Sequence, residues 1–176
     1  MNLKSTPKTP PVIIILMKIL GIDPGLAATG WAIIEKSNQP TLIDCGCFKT
    51  KSGLDFSARL QSIYQEVKKI IKQFSPQAMA IEGLYFAKNI TSAIKVAQAE
   101  GVIKLAGKQM GLDVFEYSPL NIKIAITSYG KADKAQVEFM VKQLLHLKTS
   151  IKPDHAADAV AVGLTHSFTN LKLKGK

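Results

Sequence analysis

KILGIDPGLAATGWAIIE, Lys18 to Glu35, is the stretch that decides the fold. Its first six residues are β-prone and end in an acid, Asp23. Pro24 then fixes φ and Gly25 permits the bend that follows, so a turn is forced before TGWAIIE (Thr29 to Glu35) resumes an extended run. The segment reads as strand, turn, strand, with Asp23 at the carboxyl end of the first strand.

Working outward, Thr41 to Thr50 is a third apolar stretch. Leu60, Ile63, Val67, Ile70, Ile71 and Phe74 then recur at spacings of three and four, one face of a helix that starts at Asp55 or Ser57 and is closed by Pro76. A short apolar strand, Ala78 to Ile81, runs into Glu82. Thr91 caps a helix holding Ile94, Ala97, Val102 and Leu105, weakened at Gly101. Leu112 to Tyr117 is a fifth strand, Ser118 and Pro119 open a helix that Gly130 ends, and Asp133 caps another over Val137 to Leu147. After Pro153 a last helix, capped by Asp154, carries His155, Asp158, Val160 and Leu164. This order predicts an α/β fold: a five-stranded mixed sheet, strand order 3-2-1-4-5, made of an antiparallel meander followed by right-handed parallel crossovers and flanked by helices. It resembles the ribonuclease-H-like arrangement, in which strand one lies beside strand four.

Composition narrows the class. At 176 residues and 47% hydrophobic, the chain suits one core. The expected organisation is an extension over residues 1–16, rich in Lys, Thr and Pro, a domain over 17–168, and a basic tail over 169–176. Met17 is a candidate translation start. The formal charge is +10, and the two ends carry only half of it, so the body itself invites a polyanion. Arg59 is the one arginine, and the remaining basic groups are lysines, better suited to phosphates than to bidentate reading of base edges. Cys45 and Cys47, the two cysteines, sit two apart in a strand and cannot pair with each other, which fits a reducing cytoplasm and argues against a thiolate zinc site. The apolar run Val12 to Leu16 falls short of the roughly 20 residues a bilayer span needs, and no signal-peptide cleavage pattern follows it.

Asp23 and Glu82 each end a strand, and if those strands are parallel neighbours about 4.8 Å apart, both carboxylates reach one ion. Alone, Asp-Pro-Gly is an ordinary turn and Glu82 an ordinary strand end. His155 and Asp158 are three apart, hence on one helix face, and the alanines between and beyond them let that helix lie close to the sheet. Three acids and an imidazole form a candidate site for two divalent cations roughly 4 Å apart, one activating water and one stabilising the leaving oxygen. Oxygen ligands favour Mg²⁺ or Mn²⁺, and the imidazole tilts the balance toward Mn²⁺. Such a site hydrolyses phosphodiesters without a covalent intermediate.

Three segments together, GIDPGLAATGWAII (Gly21 to Ile34), AIEGLYFAKN (Ala80 to Asn89) and HAADAVAVGLTH (His155 to His166), resemble the RuvC-type Holliday-junction resolvases of bacteria. FEYSPLNIK (Phe115 to Lys123) and GKADKAQV (Gly130 to Val137) extend the match over about residues 17 to 167. The resemblance implies a structure-selective endonuclease of DNA recombination and repair. Its metal-site and catalytic positions fall on Asp23, Glu82, His155 and Asp158, with His155 standing where many members carry Asp. It also implies an aromatic ring at Tyr85 that stacks on an unpaired base, with Lys88, Lys123, Lys131 and Lys134 as DNA-binding lysines. A homodimer nicking four-way junction DNA symmetrically is implied as well, with branch-migration helicase and junction-binding subunits of the RuvB and RuvA type as partners. The helix Thr91 to Gln109 is the candidate dimer face. Two alternatives stand beside this reading: another ribonuclease-H-like nuclease acting on structured RNA, and a junction-binding module without turnover. Actin-like ATPases share the opening strand but need two copies of the fold in a longer chain.

Overall fold

The computed structural model describes residues 16–84 and 90–169. Its elements run β1 (Met17–Asp23), β2 (Ala28–Lys36), β3 (Thr41–Lys49), α1 (Phe56–Phe74), β4 (Ala78–Glu82), α2 (Ile90–Gln109), β5 (Asp113–Tyr117), α3 (Pro119–Thr127), α4 (Lys134–Leu144) and α5 (Asp154–Phe168). The strands form one sheet in the order β3-β2-β1-β4-β5. β1 is antiparallel to β2 and parallel to β4, and β4 is parallel to β5, as the order of elements predicts.

Alternation along the strands divides the apolar residues between two cores. Ile19 and, on β4, Ala78 and Ala80 face α5 and the buried residues of α3 and α4. Leu20, Ile22, Met79 and Ile81 face α1 and α2, meeting Ile63, Val67 and Ile103. Each large aliphatic among them is fully buried, contributing roughly 1.5–3 kcal/mol relative to exposure. The same alternation puts Asp23 and Glu82, two residues beyond Gly21 and Ala80, on the α5 side of the sheet.

α5 lies unusually close to that sheet because glycines face it. A methyl group at Gly21 would run into the backbone of Ala159 and Gly163, and one at Gly30 into the carbonyl of His155. Gly30 is also the partner of Asp23 across the β1–β2 ladder, so the first turn of α5 is seated directly beside Asp23.

Several helix ends differ from expectation. Asp55 does cap α1, accepting from the Ala58 N–H, and Asp133 caps α4, accepting from the Gln136 N–H while its own N–H donates to Gln136 Oε1. α3 ends not at Gly130 but at Ser128, which takes the left-handed conformation at φ 58°, and α4 stops at Leu144 rather than Leu147. Thr91 lies inside α2, which already begins at Ile90. Asp154 is not a cap: Pro153 holds that position, and Asp154 is the first helical residue, drawn to Lys152 and Lys134 instead. No helix among the described residues is long and apolar enough to cross a membrane.

Candidate active site

The carboxyl ends of β1 and β4 and the amino end of α5 meet at one place. One ligand atom each from Asp23, His155 and Asp158 lie within 4.8 Å of one another. His155 Nδ1 and Asp23 Oδ2 are 2.6 Å apart. With the carboxylate accepting from Nδ1–H, the lone pair of Nε2 is left for another partner. Asp158, one turn along α5, lines an adjoining cleft of about 220 Å³ together with Glu82, Lys123 and Lys134. The four acid and imidazole residues expected from the sequence therefore lie in one region, Asp23, His155 and Asp158 in a tight cluster and Glu82 lining the adjoining cleft with Asp158.

Their electrostatics are those of a site missing positive charge. Glu82 is pushed up to about 7, first by burial and then by repulsion from Asp23 and Asp158. Burial also raises Asp23, against the pull of His155. The lysines answer part of this demand: Lys134 Nζ lies 3.1 Å from Asp158 and 3.4 Å from Asp154. Oxygen donors converging with one imidazole, still repelling each other in the presence of that lysine, fit a divalent cation of the Mg²⁺ or Mn²⁺ type.

The end of β4 is held by a network that the sequence did not announce. Gly83 N–H donates to the Tyr117 carbonyl at 3.0 Å, and a side chain at Gly83 would meet the Glu116 carboxylate. Glu116 is paired at 2.5 Å with Lys104, which also binds the buried Glu100 at 2.6 Å. An i,i+4 pair of Glu100 and Lys104 was visible in the sequence, but its third member comes from another element. Behind the site, Tyr117 O–H lies 2.7 Å from Nδ1 of the buried His166, whose ring packs on Phe115 at 4.5 Å.

Of the expected DNA-binding residues, Lys123 and Lys134 line the cleft. Lys131 is exposed on the loop before α4 and does not line it. Tyr85 and Lys88 lie outside the described residues.

The family model for "Crossover junction endodeoxyribonuclease RuvC" matches residues 19–166. The chain belongs to the RuvC family. Relatives named crossover junction endodeoxyribonuclease RuvC include those of Natranaerobius thermophilus, 49% identical over 86% of this chain and 94% of the relative, and Halothermothrix orenii, 48% identical over 85% and 92%. The fold is similar to that of Thermus thermophilus RuvC in complex with Holliday junction substrate (TM-score 0.82, 33% identity, 86% of this chain and 93% of that one). It is also similar to the yeast mitochondrial Holliday junction resolvase (TM-score 0.62, 16% identity, 86% and 78%), a likeness of fold alone. RuvC membership and the acidic cluster agree in making this chain a metal-dependent endodeoxyribonuclease.

Proposed function

We infer that this protein resolves four-way DNA junctions by paired, symmetric nicks, with Asp23, Glu82, His155 and Asp158 as its catalytic and metal-binding set. The observation that carries the site is the convergence of Asp23, His155 and Asp158 within 4.8 Å, beside a Glu82 whose burial leaves it in want of a cation. Two Mg²⁺ ions are the expected occupants, with Mn²⁺ able to substitute; when bound, they supply an activated water and charge stabilisation of the leaving oxygen. Hydrolysis makes one P–O bond from water and breaks the P–O bond to the departing sugar oxygen.

The protein's own groups do the positioning. Lys123 and Lys134, on the wall of the cleft, draw the phosphate toward the acids, and Lys134 exchanges its ion pair with Asp158 for the substrate. His155 is oriented through its Nδ1 by Asp23. Tyr85 and Lys88 follow Glu82 closely in sequence and fit a role at the unstacked base, with Lys131 on the rim. Residues 17–168 serve as the nuclease domain, with 1–16 and 169–176 as appendages.

A homodimer places two such sites on the two-fold substrate. α2 is the proposed interface: Ile94 and Leu105 on its outer face are 55% and 53% exposed, and Gly101 between them faces open space. Branch-migration helicase and junction-binding subunits are the proposed partners.

The test is nicking of a labelled, immobile junction beside linear duplex of the same sequence, in Mg²⁺ and in Mn²⁺, by wild type and Asp158→Asn. Paired nicks in the junction alone, absent from the variant, support the reading; equal cutting of duplex, or a fully active variant, overturns it.

A further inference from the structure

A second pocket opens beside the acidic cluster on the side away from Lys123 and Lys134. It has a volume of about 420 Å³ and is lined by the turn Gly25–Ala28, Arg59 from α1, Ser92 and Lys95 from α2, and His155. Among the described residues no carboxylate lines it. His155 faces this pocket and Asp158, one turn on, faces the other cleft. The acids thus stand between two basic recesses along one edge of the sheet.

Arg59 is the single arginine in a chain whose other basic side chains are lysines. Its Nε donates to Thr50 Oγ1 at 2.8 Å and its Nη2 to the Leu26 carbonyl at 3.3 Å, and Thr50 Oγ1 donates to the same carbonyl at 2.7 Å. Those bonds fasten the guanidinium to the β1–β2 turn while using two of its five N–H groups. Among the described residues no carboxylate pairs with Arg59, and Lys95 makes neither a hydrogen bond nor an ion pair. A fixed, planar fork with donors to spare, sharing a pocket with an ammonium and ion-paired to no acid among the described residues, matches the two non-bridging oxygens of a phosphodiester.

We propose that Arg59 and Lys95 form a subsite for a backbone phosphate of the strand being cut, flanking the phosphate held at the acidic cluster. This rests on the reading of that cluster as the nuclease centre. The strand then runs from one basic recess to the other across Asp23 and His155, held on both sides of the bond that breaks.

The experiment measures affinity of the full chain for an intact junction in chelator, across a salt series, for wild type, Lys95→Gln, Arg59→Lys and Arg59→Gln. Junctions carrying a single methylphosphonate, moved stepwise along the cut strand, are measured in parallel. Loss of one phosphate contact lowers the slope of log affinity against log salt by about 0.9 on duplex arms. The expected result is a reduced slope for Lys95→Gln and one methylphosphonate position that weakens wild type several-fold yet leaves the variants unchanged. Lys95→Gln keeps the test sound if Arg59→Gln, which also unfastens the turn, fails to fold. Equal slopes and equal methylphosphonate profiles in a wild type that binds and nicks junctions would sink the subsite alone. So would weakening confined to nicked product bearing a terminal phosphate. A wild type that neither prefers junctions nor nicks them would sink the nuclease reading instead.

Discussion

Burial acts on Glu82 and His166 with opposite signs. Glu82 is raised from 4.5 to about 7, chiefly by burial and then by its acidic neighbours. Between those values the folded protein keeps a proton that the unfolded chain has lost, so metal-free stability falls as pH rises through this window. His166 is lowered from 6.5 to about 4 by burial and by Lys36. Between those values the unfolded chain holds the extra proton, and stability falls as pH drops. The two contributions offset each other over much of the same range. Melting in chelator from pH 4 to 8 is expected to show this once they are separated: Glu82→Gln steepens the rise of Tm with pH, and His166→Asn flattens or reverses it. Because cations need the ionised carboxylate, metal affinity is expected to climb with pH through about 7, with proton release measurable by calorimetry in two buffers. Asp158→Asn removes one of the proposed metal ligands, and nicking is expected to drop by at least about 10²-fold, the scale on which preorganised electrostatic groups act, while chelator-phase junction binding persists. Asp23, Glu82, His155 and Asp158 were legible in the sequence because acids at strand ends and polar residues three apart on an alanine-rich helix are local patterns. Arg59 was conspicuous for its rarity alone. Nothing local joins it to Lys95, since the two meet only where the amino-terminal parts of α1 and α2 converge on the β1–β2 turn.

Close approach of α5 to β1 and β2 depends on glycines whose partners are backbone atoms rather than yielding side chains. Gly21→Ala is therefore expected to cost about 1–3 kcal/mol, as overpacking does, and to reduce nicking beyond what the lost stability explains, because α5 must lift away with His155 and Asp158 on it. Urea melts and single-turnover nicking of the same preparation separate the two effects. The alanines of α5 signalled close packing in the sequence, but nothing local marked Gly21 and Gly30 as the residues that face them. Strand order followed from the succession of elements, the β1–β2 hairpin being dictated by Asp-Pro-Gly and the parallel pairs by the intervening helices. Helix ends were less legible. Ser128 adopts the left-handed turn expected of a glycine, bringing α3 to a close two residues before Gly130. Asp154 had the right chemistry for a cap, yet Lys152 and Lys134 offer it charge where a cap bond offers only backbone N–H.

At the scale of the whole molecule, α2 presents an apolar surface on both sides. Ala99, Ile103 and Ala106 enter the core, while Ile94 and Leu105 face outward. Leu105→Glu combined with Ile94→Glu is expected to shift the proposed dimer to monomer in sedimentation equilibrium and to uncouple the paired nicks, leaving the melting of the metal-free protomer little changed. A monomer that still makes paired nicks would exclude α2 as the interface. The net charge of +10 predicts a steep fall of junction affinity with salt. The seating of α5 has a further consequence for how the molecule comes apart. Helix starts ordinarily fray long before a protein melts, and ligands carried there would be lost early. Here Gly30 presses against the His155 carbonyl and Gly21 against Ala159, so the first two turns of α5 cannot loosen without peeling from the sheet. Amide exchange at Ala159 and Val160 is therefore expected to require global opening. On gradual heating, catalytic competence and the native fold are expected to disappear together, with no inactive folded state between them.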